Sequence, residues 1–244
     1  MLRFIIAGLY VVLCVIFCYP YQLYLAALAK KDQKKSWEKS WKLVRRVFKT
    51  ILFIAGTKIE VRGAENIPED KGCLFVGNHR SYFDILTLQT ITPGPIGFIA
   101  KKEFSKVPLF YHYMEDIGCL FLNRESIKES LKTINDGTEY MKQGLSLGLF
   151  PEGTRNHKDE LLPFKPGGYR MAEKSDSPII VTAMTGLDDI FENNKPFGLK
   201  RKHVIIEFGK PVYPHALETA ERKEYYNSIP EQISSMLKSH QNNA

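Results

Sequence analysis

Cys73-Leu74-Phe75-Val76-Gly77-Asn78-His79-Arg80-Ser81-Tyr82-Phe83-Asp84 begins as an apolar run, crosses a short polar turn and enters a helical pattern that continues to Thr90. A buried strand turning directly into a helix is the repeating unit of layered α/β domains. Reading outward on both sides repeats the signal. Short apolar runs bounded by Gly, Pro and Asn lie at 58–61, 97–100, 119–122, 145–150, 179–184 and 204–208, and are expected as strands. Helical patterns stand between several of them, at 127–143, 168–174 and 217–237. The expected fold is α/β: a layered central β-sheet flanked by helices over residues 57–244, preceded at 1–56 by membrane-associated helices.

The quoted stretch also carries chemistry. It places His79 at a strand's carboxyl end, where α/β sheets build sites, and Asp84 early in the following helix. Across such a turn, a separation of five lets Asp84 fold back and accept the imidazole N–H. That fixes the tautomer and leaves the other ring nitrogen free to take a proton. This is a serine triad without its serine, sufficient where a substrate hydroxyl is itself the nucleophile.

Cations stand beyond several other strands: Lys101-Lys102-Glu103 after one, Asn123-Arg124 after another, and Phe150-Pro151-Glu152-Gly153-Thr154-Arg155 after a third. Arginine offers a forked donor that matches phosphate oxygens, and cations gathered at strand ends suggest one anion pocket.

In this order and spacing, Asn78-His79 with Asp84, Arg124 after its strand, and Phe150 to Arg155 resemble the 1-acyl-glycerol-3-phosphate acyltransferases over roughly residues 58–210. The resemblance implies a catalytic pair, His79 and Asp84, and an acceptor site for glycerol phosphate formed by Asn78, Arg124, Glu152, Gly153, Thr154 and Arg155. It adds Lys101 and, from Phe164-Lys165-Pro166-Gly167, Lys165 near the phosphate. No metal and no bound cofactor are implied. Acyl carrier protein or acyl-CoA would be the co-substrate and lysophosphatidic acid the lipid partner, with phosphatidic acid the product. Three departures bear on acceptor or chain preference: Asn123 where aspartate is usual, Asn156 where serine often follows the arginine, and 177–181 without its second proline.

Gly144-Leu145-Ser146-Leu147-Gly148 satisfies the pattern of a serine-hydrolase elbow, with Asp188 and His203 following. An elbow ends a strand and opens a helix, whereas this one ends a helix and enters a strand. Ser146 is therefore expected to be structural.

From Phe4 to Ala29 the chain carries no formal charge. Pro20 interrupts it, leaving about 24 Å of unbroken helix against a hydrocarbon core about 30 Å thick, so spanning and embedding in one leaflet both stay open. The run also resembles a signal peptide, but the following residues argue for retention. Residues 30–49 hold nine Lys or Arg against Asp32 and Glu38, which places this side, and the active site, on the cytoplasmic face. At helical spacing Trp37, Trp41, Val44, Phe48, Ile51, Leu52 and Ala55 form an apolar stripe opposite Lys39, Lys42, Arg46 and Lys49. Such a helix suits the head-group plane, with its rings at the lipid boundary; a surface helix packed on the protein's own core is the other reading.

The formal charge is +7, from 34 Lys and Arg against 27 Asp and Glu, which favours anionic partners. The densest basic cluster follows an apolar anchor, so lipid is the simpler partner and nucleic acid is not expected. Four cysteines without a CxxC and six histidines without ligand spacing make no disulfide framework and no zinc site. Two readings stand beside lysophosphatidic acid acylation: transfer to another acceptor such as glycerol 3-phosphate, and a non-catalytic protein that binds anionic lipid. Oligomeric state is not encoded legibly.

Overall fold

The computed structural model describes residues 1–106, 108–158, 160–194 and 196–242. Seven strands form one sheet: β1 (Lys58–Arg62), β2 (Leu74–Gly77), β3 (Ile96–Lys101), β4 (Leu120–Leu122), β5 (Ser146–Leu149), β6 (Ile179–Thr185) and β7 (His203–Phe208). Their order across the sheet is β1-β7-β6-β2-β5-β3-β4. All neighbours are parallel except β6 and β7. The five strands β6, β2, β5, β3 and β4 therefore deliver their carboxyl ends to a single edge.

β2, fully buried, sits among them because its side chains feed both layers. Phe75 joins Phe83, Phe98, Ile180 and Ile206 in the core on one face. Leu74 and Val76, pointing the other way by the strand's period of two, join Leu147, Val181, Met171 and Ile229 on the opposite face. The first face is covered by α3 (Gln33–Ala55) and α4 (Tyr82–Ile91). The second is covered by α6 (Ile127–Lys142), α7 (Arg170–Lys174) and α8 (Thr219–Asn242).

α3 starts on Asp32, whose carboxylate accepts Lys35 N–H at 3.0 Å, and stops at Gly56 in the left-handed conformation. Its amphipathic period is as expected, but its apolar stripe does not face lipid. Trp37 and Leu52 are 1% and 4% exposed, and Ala55 is fully buried. Trp37 packs edge-on against Tyr140, and Ile51, Leu52 and Ala55 belong to the sheet's own core. Periodicity defines a stripe without saying what covers it, and here the sheet and its helices do.

Lipid-like exposure belongs instead to α1 (Leu2–Phe17) and α2 (Tyr19–Ala29), which bend 54° at Cys18. Neither helix is long and apolar enough by itself to cross a membrane, although the bent pair passes that test by length and composition. Leu9, Val12, Ile16 and Phe17 stand exposed on α1, where only Ala7 is buried. The other side of α1 is docked: Arg3 donates to Ala55 O at 3.1 Å and Phe4 stacks on Phe191 at 5.7 Å. One helix, α5 (Pro108–Asp116), has no counterpart among the expected elements.

Candidate active site

The turn after β2 explains the spacing of His79 and Asp84. Ser81 caps α4 by accepting Phe83 N–H at 2.9 Å, and Asp84, three residues on, reaches back to the cap. One oxygen of Asp84, Oδ2, accepts Ser81 N–H at 2.9 Å, Arg80 N–H at 2.8 Å and His79 Nδ1–H at 2.7 Å. The capping box and the histidine's orienter are thus the same carboxylate, 1% exposed. Phe150 stacks on the imidazole at 4.1 Å and 9°, so the ring is fixed in tautomer and in plane. Nε2 is left as the nitrogen available to a substrate.

His79 opens into a cavity of about 350 Å³ between the sheet edge and helices α1, α3 and α5. Its far end is apolar, lined by Val11, Val15, Val44, Phe48 and Ile117 among others, while Phe98 stacks on Phe150 beside His79. Its near end holds Lys101, Arg124, Gly153, Thr154 and Arg155. Burial pushes the Tyr113 hydroxyl and the Cys119 thiol on its walls up to about 12, so both stay neutral and neither competes as a nucleophile.

Gly153 shows how closely the cationic end is built. Its φ of +74° favours glycine, and a Cβ there would lie 2.6–2.8 Å from the Arg124 guanidinium, which donates to Gly153 O at 2.8 Å. Arg155 lies over the Tyr82 ring, 3.7 Å from its centroid. A charged pocket at the mouth of an apolar one suits an amphiphile with an anionic head.

The sequence model of the Acyltransferase family matches residues 58–185, from β1 through β6. The chain belongs to the Acyltransferase family. Among its relatives, a 1-acyl-sn-glycerol-3-phosphate acyltransferase of Borreliella burgdorferi is 31% identical over 176 residues, covering 72% of this chain and 67% of its own. A protein of the same name from Saccharomyces cerevisiae is 29% identical over 202 residues, covering 81% and 66%. The human 1-acyl-sn-glycerol-3-phosphate acyltransferase alpha is 29% identical over 156 residues, covering 62% and 53%. The chain thus spans between about half and two thirds of the length of these relatives. Among solved structures, the 1-acyl-sn-glycerophosphate acyltransferase PlsC from Thermotoga maritima superposes with a TM-score of 0.76 at 22% identity, covering 96% of this chain and 95% of that one, and so shares the fold.

Not every expected site residue faces the cavity. Asn78, 1% exposed, clasps β6 instead: its amide donates to Met184 O and accepts Met184 N–H, both at 2.9 Å. Glu152, 5% exposed, has its carboxylate turned inward. Oε1 accepts His79 N–H at 2.9 Å, and Oε2 accepts from Asn156 Nδ2 at 2.9 Å and Leu162 N–H at 3.0 Å. The polar atoms of both are engaged by the framework. Lys165 is exposed and lies off the cavity, its backbone N–H donating to Pro151 O. Ser146 begins β5 with its hydroxyl accepting Cys73 N–H at 3.1 Å, while Asp188 pairs with Arg80 and His203 with Glu60, so no elbow forms. Among the described residues no cluster of His, Cys, Asp or Glu is placed to hold a metal.

Sequence reasoning missed three neighbours of the site. Tyr82 and Phe150 lie within the quoted motifs, but stacking cannot be read from them. Glu192, which holds Arg155 at 3.3 Å, is separated from it by 37 residues and carries no local signal.

Proposed function

We propose that this chain transfers an acyl group from acyl carrier protein or acyl-CoA to the free hydroxyl of 1-acyl-glycerol 3-phosphate, making phosphatidic acid. The observation that carries the reading is an oriented His79–Asp84 pair standing where a cationic pocket meets an apolar one. The acceptor's phosphate is held by Arg124 and Arg155 with Lys101, which brings its hydroxyl to His79. Nε2 takes the hydroxyl proton as the oxygen attacks the thioester carbonyl carbon. Asp84 stabilises the imidazolium that results. The tetrahedral intermediate then collapses, the C–S bond breaks, and the leaving thiolate recovers the proton from His79. An ester and a thiol are formed, with no acyl-enzyme. The apolar end of the cavity takes the acyl chain, where each buried methylene contributes about 0.8 kcal/mol.

The exposed side chains of α1 and α2 suit embedding in a lipid leaflet, and the basic residues of 30–49 suit its anionic cytoplasmic surface. Residues 1–56 then anchor, and 57–244 catalyse. In that placement a lipid acceptor enters from the membrane and a soluble donor from water.

Purified protein in detergent, given labelled acyl donor and either lysophosphatidic acid or glycerol 3-phosphate, tests the reading. Product from lysophosphatidic acid that disappears in His79→Ala is expected. Product from glycerol 3-phosphate alone would reassign the acceptor. No product from either, with vesicle binding intact, would leave a non-catalytic lipid-binding protein.

A further inference from the structure

Glu192 opens a single helical turn, Glu192–Asn194, that follows β6 and lies outside every motif discussed so far. Its side chain is 1% exposed. A carboxylate is costly to bury unless its oxygens are occupied. Here Oε2 accepts the Ser81 hydroxyl at 2.6 Å, and Oε1 accepts Tyr82 N–H at 3.0 Å and Arg155 Nη1 at 3.3 Å. The proton direction is consistent throughout. Ser81 gives its one hydrogen to Glu192, which leaves its lone pairs for Phe83 N–H.

Two consequences meet in this residue. Arg155 is fixed from both sides, by the Glu192 carboxylate and by the Tyr82 ring, whose backbone the same carboxylate holds. Only one of the five guanidinium donors is spent on Glu192, so the others remain for phosphate oxygens. Ser81 and Tyr82 are also the cap and first residue of the helix that carries Asp84. A single buried group therefore sets both the cation expected at the phosphate and the turn that orients the base.

We propose that Glu192 is a positioning residue for phosphorylated acceptors: it presents Arg155 to the phosphate in register with His79. The inference rests on the reading of Arg155 as a phosphate ligand. Glu192 does not touch substrate. It acts through Arg155, and the order it imposes on a long side chain is paid in folding rather than at each binding event.

The experiment compares wild type with Glu192→Gln, Arg155→Ala, their double variant and Arg155→Lys. Acceptor and donor KM are measured separately and melting temperature is recorded. For Glu192→Gln, acceptor KM is expected to rise about tenfold, with donor KM changed less than about twofold. In the Arg155→Ala background the same substitution should add less than about twofold, because the group it positions is gone. Arg155→Lys keeps the charge and loses the planar fork, so its acceptor KM should approach that of Arg155→Ala. This variant still decides the matter should Glu192→Gln fold poorly. An undiminished Glu192→Gln effect without Arg155, equal changes in both KM values, or wild-type acceptor KM in Arg155→Lys would each overturn the inference.

A second readout needs no turnover. In ¹⁵N-arginine-labelled protein the Arg155 Nη–H signals, assigned by their loss in Arg155→Ala, should exchange slowly in wild type and rapidly in Glu192→Gln, because Nη1 is the nitrogen that donates to Glu192. Equal exchange in both would refute positioning. Failure of the wild type to acylate lysophosphatidic acid would instead refute the proposed reaction and leave this arm standing.

Discussion

The rim of the cavity and the helices that precede it invert each other. At the rim, Asp84, Glu152 and Glu192 are buried, every one of them engaged by backbone or side-chain donors. Along α1 and α2, Leu9, Phe17 and Leu23 stand in the open. Burying a carboxylate and exposing a leucine are both unfavourable in water, and each is tolerated for a different reason. The buried acids hold the turn and the side chains around His79, and under the proposed reading the exposed apolar side chains meet lipid. Polar interior at one end and apolar exterior at the other show where this molecule departs from what stability alone would select.

The largest expected break comes at the base. His79→Ala should lower acyl transfer by about 10³-fold or more, within the usual worth of a general base and its alignment, with melting temperature nearly unchanged. A comparable loss of melting temperature would make His79 a structural group and dissolve the contrast.

Glu152→Gln sharpens the comparison next. An amide has one acceptor oxygen for three donors, so a buried donor is left facing an NH₂ group, at a cost of about 1–3 kcal/mol. Both kcat and melting temperature should fall, because His79 N–H loses its anchor. A rise in acceptor KM alone, with stability intact, would return Glu152 to the role of ligand that its motif suggests.

Gly153→Ala should raise acceptor KM about tenfold through displacement of Arg124, plus strain of about 1 kcal/mol from the positive φ. Unchanged KM would mean that Arg124 does not bind acceptor.

The smallest effect lies on the seam between the two regions. Asp116, at the end of α5, is raised by burial from 3.8 to about 6, against a lowering by Gln22 of α2. Its neutral form suits the fold, so the stability it contributes is full below about pH 4 and is lost as pH rises through 6. Asp116→Asn should therefore leave the melting temperature unchanged at pH 4 and raise it by about 2–4 °C at pH 8. Thermal scans at both values check this, and a gain at pH 4 would assign the effect to packing instead.

Much of this was legible in the sequence because local rules suffice for it. Most of the seven strands are short apolar runs close to a turn signal, the charged β1 being the least apolar of them. The approach of His79 to Asp84 follows from a capping box spanning three residues. What stayed hidden depends on partners distant in the chain. The stripe through Trp37 and Trp41 was legible, but its covering came from Tyr140 and the sheet rather than lipid. Asn78 and Glu152 were expected as ligands from the two motifs that hold them, and only the fold shows Met184 and Leu162 arriving to use their polar atoms. Helix α5 escaped because 108–116 mixes aromatic, basic and acidic side chains within nine residues, too few to establish a period. Glu192 lies 111 residues from Ser81, and no local pattern connects them.

Val11, Cys14 and Val15 of the first helix, with Cys18 at the bend, supply one wall of the cavity. The wall is thus detachable in principle, which couples two events usually treated apart. If a fatty chain in the cavity strengthens the seating of α1, then by reciprocity the seating of α1 strengthens the hold on the chain by the same factor. A version trimmed of its first helix to gain solubility would not be the same enzyme in a more convenient form. It would be a three-sided vessel, with one flank of any bound chain turned to water.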